Sequence, residues 1–130
     1  MTHEALVSAD RRLAGLHILV VEDEFLIAME LEDAIAQMGA TVTMVGGRTE
    51  ALDALAHERP DGAILDVQLG EEMSYDVAKQ LIGLKIPFIL ATGFEGTILP
   101  PHMRDRPRLS KPFAPADLER LAVQVFRARR

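Results

Sequence analysis

The sequence predicts a single doubly wound α/β domain, a parallel sheet with helices on both faces, and three observations predict it. Short apolar runs of strand length alternate with segments of helical period. The first run, His17 to Val21, carries no polar alternation, as a strand covered on both faces requires. Residues able to do chemistry recur just past the runs: Glu22 and Asp23 after the first, Asp66 after the third, Thr92 after the fourth and Lys111 after the last.

Each element has its own warrant. His17-Ile18-Leu19-Val20-Val21 is rich in β-branched residues and reads as the central strand. After Asp23 the pattern changes to Ile27, Leu31, Ile35 and Met38, with Glu30, Glu32 and Asp33 on other faces, until Gly39 stops it; that is an amphipathic helix. Thr41 to Val45 gives a second strand and Gly46-Gly47 a turn, followed by a helix from Thr49 to Glu58 with Leu52, Leu55 and Ala56 on one side. Gly62-Ala63-Ile64-Leu65 is a third strand running into Asp66. Ser74 is placed to cap a helix through Gly83 that turns Val77, Ala78, Leu81 and Ile82 inward. Pro87 to Ala91 is the fourth strand, with its proline at the one position a strand tolerates.

From Phe94 to Pro107, Gly96, Pro100 and Pro101 leave little room for a regular fourth helix, so a short or irregular element is expected there. Arg108-Leu109-Ser110 makes a brief last strand. Pro115 opens a final helix, running nearly to Arg130, with Leu118, Leu121, Ala122, Val125 and Phe126 on its inner face. Residues 1–15 read as an N-terminal extension, disordered or weakly helical, and residues 16–130 as the domain, with no output domain attached.

Composition limits the function. A chain of 130 residues, 48% hydrophobic, suits one domain with one core. Twenty acidic against 14 basic residues leave a formal charge of -6, which disfavours nucleic acid as a partner. The late arginines Arg120, Arg127, Arg129 and Arg130 suit the negative end of a last helix. No cysteine is present, so disulfides, thiolate metal sites and cysteine nucleophiles are excluded. The four histidines have no metal-ligand spacing. Neither a signal peptide nor a membrane span is apparent, so a cytoplasmic protein is expected, without a membrane partner.

In an open α/β sheet, ligands gather beyond the carboxyl ends of the strands, and Glu22, Asp23, Asp66, Thr92 and Lys111 all fall on that edge. Three carboxylates gathered together repel one another, and so either raise a pKa or hold a hard cation. Mg2+ is the expected cofactor, with Asp23 and Asp66 as ligands, the backbone carbonyl of Gln68 as a third, and Glu22 acting directly or through water. A carboxylate beside such a cation can attack phosphorus, with Lys111 adding positive charge and Thr92 a hydroxyl donor. Lysine is scarce here, three in the whole chain, which singles out one placed just past the last strand. The set reads as a phosphoryl-acceptor site. Taken singly, each residue has a plainer role: Asp66 as a turn or helix cap, Glu22 and Asp23 as charges favouring a helix start, Thr92 as a strand-end hydroxyl, Lys111 as a surface charge. Their joint placement argues otherwise.

These motifs, Val20-Val21-Glu22-Asp23, Leu65-Asp66, Ala91-Thr92-Gly93 and Ser110-Lys111-Pro112-Phe113, resemble in order and spacing those of the receiver domain of two-component response regulators, over residues 17 to 128. The resemblance implies a flavodoxin-like five-stranded sheet in the order 2-1-3-4-5. It implies that Asp66 is phosphorylated by a sensor histidine kinase or phosphotransferase, that Mg2+ sits on Glu22, Asp23 and Asp66, and that Thr92 and Lys111 contact the phosphoryl group. A cis bond at Lys111-Pro112 is implied as well. Pro87-Phe88-Ile89-Leu90-Ala91-Thr92-Gly93-Phe94, with Leu69-Gly70 and Met73-Ser74-Tyr75, further resembles the FAT GUY single-domain regulators, although Leu90 stands where those usually carry phenylalanine.

One departure bears on mechanism. Most receivers carry a switch tyrosine or phenylalanine three residues before the lysine, and Arg108 stands there in this chain. Phe94, two residues after Thr92, is the nearby aromatic expected either to shield the phosphoryl group or to pack in the core. The expected function is a single-domain response regulator signalling through contacts with a downstream protein, the surface of the last helix and the segment 94–107 being its expected interface. Two alternatives are a receiver-like scaffold that works without phosphorylation, and an aspartyl-phosphate phosphatase. The latter wants an acid two residues after the nucleophile, where Gln68 stands. A nucleotide fold wants a glycine-rich loop where Glu22-Asp23-Glu24 stands.

Overall fold

The structure, a computed structural model, describes residues 11–93 and 99–127. β1 (His17–Val21), expected at the centre, is an interior strand, second in the sheet, and leads into α1 (Phe25–Gln37); β2 (Thr41–Val45), α2 (Arg48–His57) and β3 (Gly62–Asp66), the middle strand, follow. Past β3 comes a small hairpin, β4 (Gln68–Leu69) and β5 (Glu72–Met73), then α3 (Tyr75–Gly83) and β6 (Phe88–Thr92). A 3-10 turn (Pro101–Met103), β7 (Arg108–Ser110) and α4 (Pro115–Ala122) complete the order.

The main sheet runs β2-β1-β3-β6-β7 and every pairing in it is parallel. Counting only its five strands, that is the order 2-1-3-4-5. The strands are buried along nearly their whole length at the centre: β3 and β6 expose no residue, and β1 only half-exposes His17. Their side chains divide by alternation. Leu19, Val21, Ala63, Leu65, Phe88 and Leu90 face Ala51, Leu55, Val77, Ala78 and Leu81 of α2 and α3. Ile18, Val20, Ile64, Ile89 and Ala91 face Leu31 and Ile35 of α1 and Leu118 and Ala122 of α4. A side chain at Gly62 would put its Cβ 2.4 Å from the Phe126 ring, so the bare backbone there lets the end of the last helix reach the sheet.

Register places the strand exits together. Val21 is opposite Leu65, Asp66 opposite Ala91, and Thr92 opposite Ser110. One residue past Val21 therefore stands Glu22, beside Asp66, and one residue past Ser110 stands Lys111.

Four local features differ from the sequence expectation or refine it. The hairpin β4–β5 was not anticipated, because each arm is two residues long and carries no period. Ser74 precedes α3 but makes no side-chain cap; its hydroxyl is spent elsewhere. Residues 11–15, grouped by sequence with the extension, belong to the folded body: Leu13 is fully buried, its N–H donates to Met38 O at 2.8 Å, and Arg127 grips the carbonyls of Arg12 at 2.8 Å and Ala14 at 2.6 Å. The last helix changes to π winding over Val123–Arg127, which keeps Phe126 buried. In the proline-rich stretch the 3-10 turn, with Leu99 and Met103 buried beside it, is the short element expected. Phe94 and Gly96 lie outside the described residues. Among the described residues no helix is long and apolar enough to cross a membrane.

Candidate functional site

Three acids meet where β1 and β3 end. One carboxylate oxygen from each of Glu22, Asp23 and Asp66 lies within 4.8 Å of the others. Lys111 reaches in from the end of β7, its Nζ 3.1 Å from Glu22 Oε1 and 2.9 Å from Asp66 Oδ2. The Lys111–Pro112 peptide bond is cis. The backbone holds the acids as firmly as the lysine does. Glu24 N–H donates to Glu22 Oε2 at 3.1 Å, Gln68 N–H to Asp66 Oδ1 at 3.2 Å and Gly70 N–H to Asp23 Oδ2 at 2.8 Å. Gly70 has a φ of +62° at the first central position of the hairpin turn, where a type II′ turn calls for glycine. Arg48 bridges from outside to the hairpin and the helix after it, with Nε 3.7 Å from Glu72 and Nη1 2.8 Å from Asp76 of α3.

Thr92 closes β6. Its Oγ1 donates to Gly93 O at 2.9 Å, and its own carbonyl accepts from Lys111 N–H at 2.9 Å, which locks the lysine's backbone to the exit of β6. Gln68 enters the site through its N–H, and its side-chain amide turns away to Gly70 O. Arg108 is exposed on β7 and donates to Arg104 O at 3.4 Å, so a cation occupies the place of the usual ring. The sequence-predicted residues Glu22, Asp23, Asp66 and Lys111 are thus brought into contact, with Thr92 and Gln68 at the rim.

The electrostatics are those of an overcharged acidic pocket. Burial, and then the neighbouring Asp66 charge, push Glu22 up to about 7, against the pull of the Glu24 N–H and Lys111. Burial alone would depress Lys111; its hydrogen bond and attraction to Asp66, and then to Glu22, outweigh that and hold it above the ordinary lysine value. Three carboxylates against one ammonium group leave net negative charge, and every donor is a hard oxygen. That set suits Mg2+, which takes few protein oxygens and keeps several waters.

Residues 18–122 match the response regulator receiver domain family. The chain belongs to that family. It is 34% identical over 129 residues to the phyllosphere-induced regulator PhyR of Methylorubrum extorquens, covering 91% of this chain and 47% of that protein. It resembles the solution structure of SdrG from Sphingomonas melonis, with 41% identity and a TM-score of 0.74 over 83% of this chain and 94% of that one. The receiver domain of the sensor histidine kinase PA1611 from Pseudomonas aeruginosa, 26% identical over 85% of this chain and 96% of its own, superposes with a TM-score of 0.73; its crystal structure has magnesium coordinated in the active-site cleft. The chain spans about half the length of the curated relatives it matches. Receiver domains are signalling modules of two-component systems that bind Mg2+ at an acidic site and interact with histidine kinases or phosphotransferases.

The residue that sequence reasoning misplaced is Ser74. It is completely buried, and its Oγ lies 2.6 Å from Asp66 O and 3.0 Å from Val67 O. Its position before a helix pointed to capping; no local pattern marks a serine that bonds back across eight residues.

Proposed function

We propose that this receiver accepts a phosphoryl group on Asp66 from the phosphohistidine of a sensor kinase or phosphotransferase, and passes the signal on through a protein contact. The observation that carries the reading is the contact of Lys111 Nζ with both Glu22 and Asp66, in a pocket completed by Asp23.

The chemistry follows from the groups present. A carboxylate oxygen of Asp66 attacks phosphorus as the P–N bond of the donor breaks. The electron pair leaves on the imidazole nitrogen, and the ring departs neutral because its other nitrogen carries a proton. Charge spreads over the equatorial oxygens of a loose transition state. Lys111 lies against Asp66 and neutralises part of it. Mg2+ held by Asp23 and Asp66, by the Gln68 carbonyl and by Glu22 directly or through water would supply the rest. Thr92 donates a hydrogen bond from its hydroxyl to a phosphoryl oxygen once it releases Gly93 O. That exchange moves the exit of β6 and, through the Thr92–Lys111 backbone bond, the exit of β7. The downstream protein, a cytoplasmic setting and the FAT GUY subfamily belong to the same proposal.

Phosphotransfer from purified histidine kinases or phosphotransferases to the wild type and to Asp66→Asn tests it. Label should pass to the wild type in the presence of Mg2+ and be absent from Asp66→Asn; label on the variant assigns the nucleophile elsewhere.

A further inference from the structure

Behind the acidic pocket, one buried hydroxyl holds the backbone that carries Asp66. At the exit of β3 the Val67 N–H is spent on Ala91 O of β6 at 3.1 Å. The carbonyl of the same planar peptide, Asp66 O, points the opposite way. Ser74 Oγ meets it at 2.6 Å. The serine's own N–H donates to Val67 O at 2.9 Å, and its hydroxyl also lies 3.0 Å from that oxygen. Ser74 therefore closes the segment from Val67 to Met73 into a loop whose two ends are tied at one residue. Inside that loop lie the Gln68 N–H on Asp66 Oδ1 and the Gly70 N–H on Asp23 Oδ2.

We propose that Ser74 is a positioning residue for phosphoryl transfer: its hydroxyl, anchored on Asp66 O, sets the direction of the Asp66 carboxylate and the hairpin bonds that hold the acids in register. The inference rests on Asp66 being the acceptor. Helix capping does not account for the serine, since α3 receives no side-chain cap. Solvation does not account for it either, since the residue is wholly buried. Removing the hydroxyl leaves Asp66 O without it in the interior, and the β3 exit turns to find another donor. Ser74 touches no reacting atom; its effect passes through the peptide it holds.

The test uses a small phosphodonor, acetyl phosphate with Mg2+, so that no kinase interface enters. Wild type, Asp66→Asn, Ser74→Ala, Ser74→Cys and Val77→Ala are compared by rate at saturating donor, half-saturating donor concentration and unfolding midpoint. Val77 is fully buried in α3 and its side chain carries no hydrogen-bonding atom, so Val77→Ala controls for a loss of core packing. Ser74→Ala should lower the saturating rate on the order of ten-fold with half-saturation little changed, because small misplacements of a reacting group are costly. Val77→Ala should lose stability and keep the wild-type rate. Ser74→Cys, a weak donor of similar size, should fall between, and it carries the test if Ser74→Ala does not fold. A wild-type rate in a folded Ser74→Ala or Ser74→Cys overturns the proposal, as does an equal loss in Val77→Ala. A wild type that takes no label, or an Asp66→Asn that does, instead overturns the reading of Asp66 as acceptor.

Discussion

Glu22 shows how far a side chain's position sets its chemistry. Its carboxyl ionises near 4.5 in an unfolded chain and near 7 in the folded one. Between those values the folded state binds the proton that the unfolded state has released, so stability declines as pH rises through that window, and the full penalty stands above about 7. Glu22→Gln removes the penalty. The metal-free variant should be more stable than wild type by about 1–3 kcal/mol near pH 8, with the gap closing below the ordinary glutamate range. Urea unfolding of both proteins at the two pH values measures this; a variant less stable than wild type at the higher pH would mean that the Lys111 contact outweighs burial and Asp66. The same residues were legible in sequence because each acid sits at the end of an apolar run, where the chain must leave the sheet. Ser74 was not, because its partner is a backbone oxygen that every residue carries.

Among elements, the helices of strong period and the five strands of the main sheet follow the sequence reading, and the hairpin β4–β5 does not. α1 and α4 bury the residues their spacing selects, Leu31 and Ile35 in one and Leu118 and Ala122 in the other. The hairpin β4–β5 has no period to find; it turns at Gly70 and is tied to Asp23 and to Arg48 through Glu72. Residues 11–15 misled for a different reason. Leu13 stands among charged and small residues, and it is buried as part of a core cluster with Ile35, Met38 and Phe126, which no local window contains. Leu13→Ala should therefore cost about 2–5 kcal/mol, as for other fully buried leucines. Denaturant titration measures it, and a loss below about 0.5 kcal/mol would return these residues to the extension.

For the whole molecule, alternation of strands and helices was enough to predict the parallel sheet, and the register of that sheet carries the convergence of the site. Glu22 and Lys111 are 89 positions apart in the chain and 3.1 Å apart in space. No motif encodes that distance; the pairings Val21–Leu65, Asp66–Ala91 and Thr92–Ser110 do. The decisive measurement is chemical mapping of the acceptor. Protein treated with acetyl phosphate and Mg2+ is reduced with borohydride, digested and sequenced by mass spectrometry. Conversion to homoserine is expected at position 66 and at no other acid; an unmodified Asp66, or conversion at Asp23 or elsewhere instead, would contradict this account of the site.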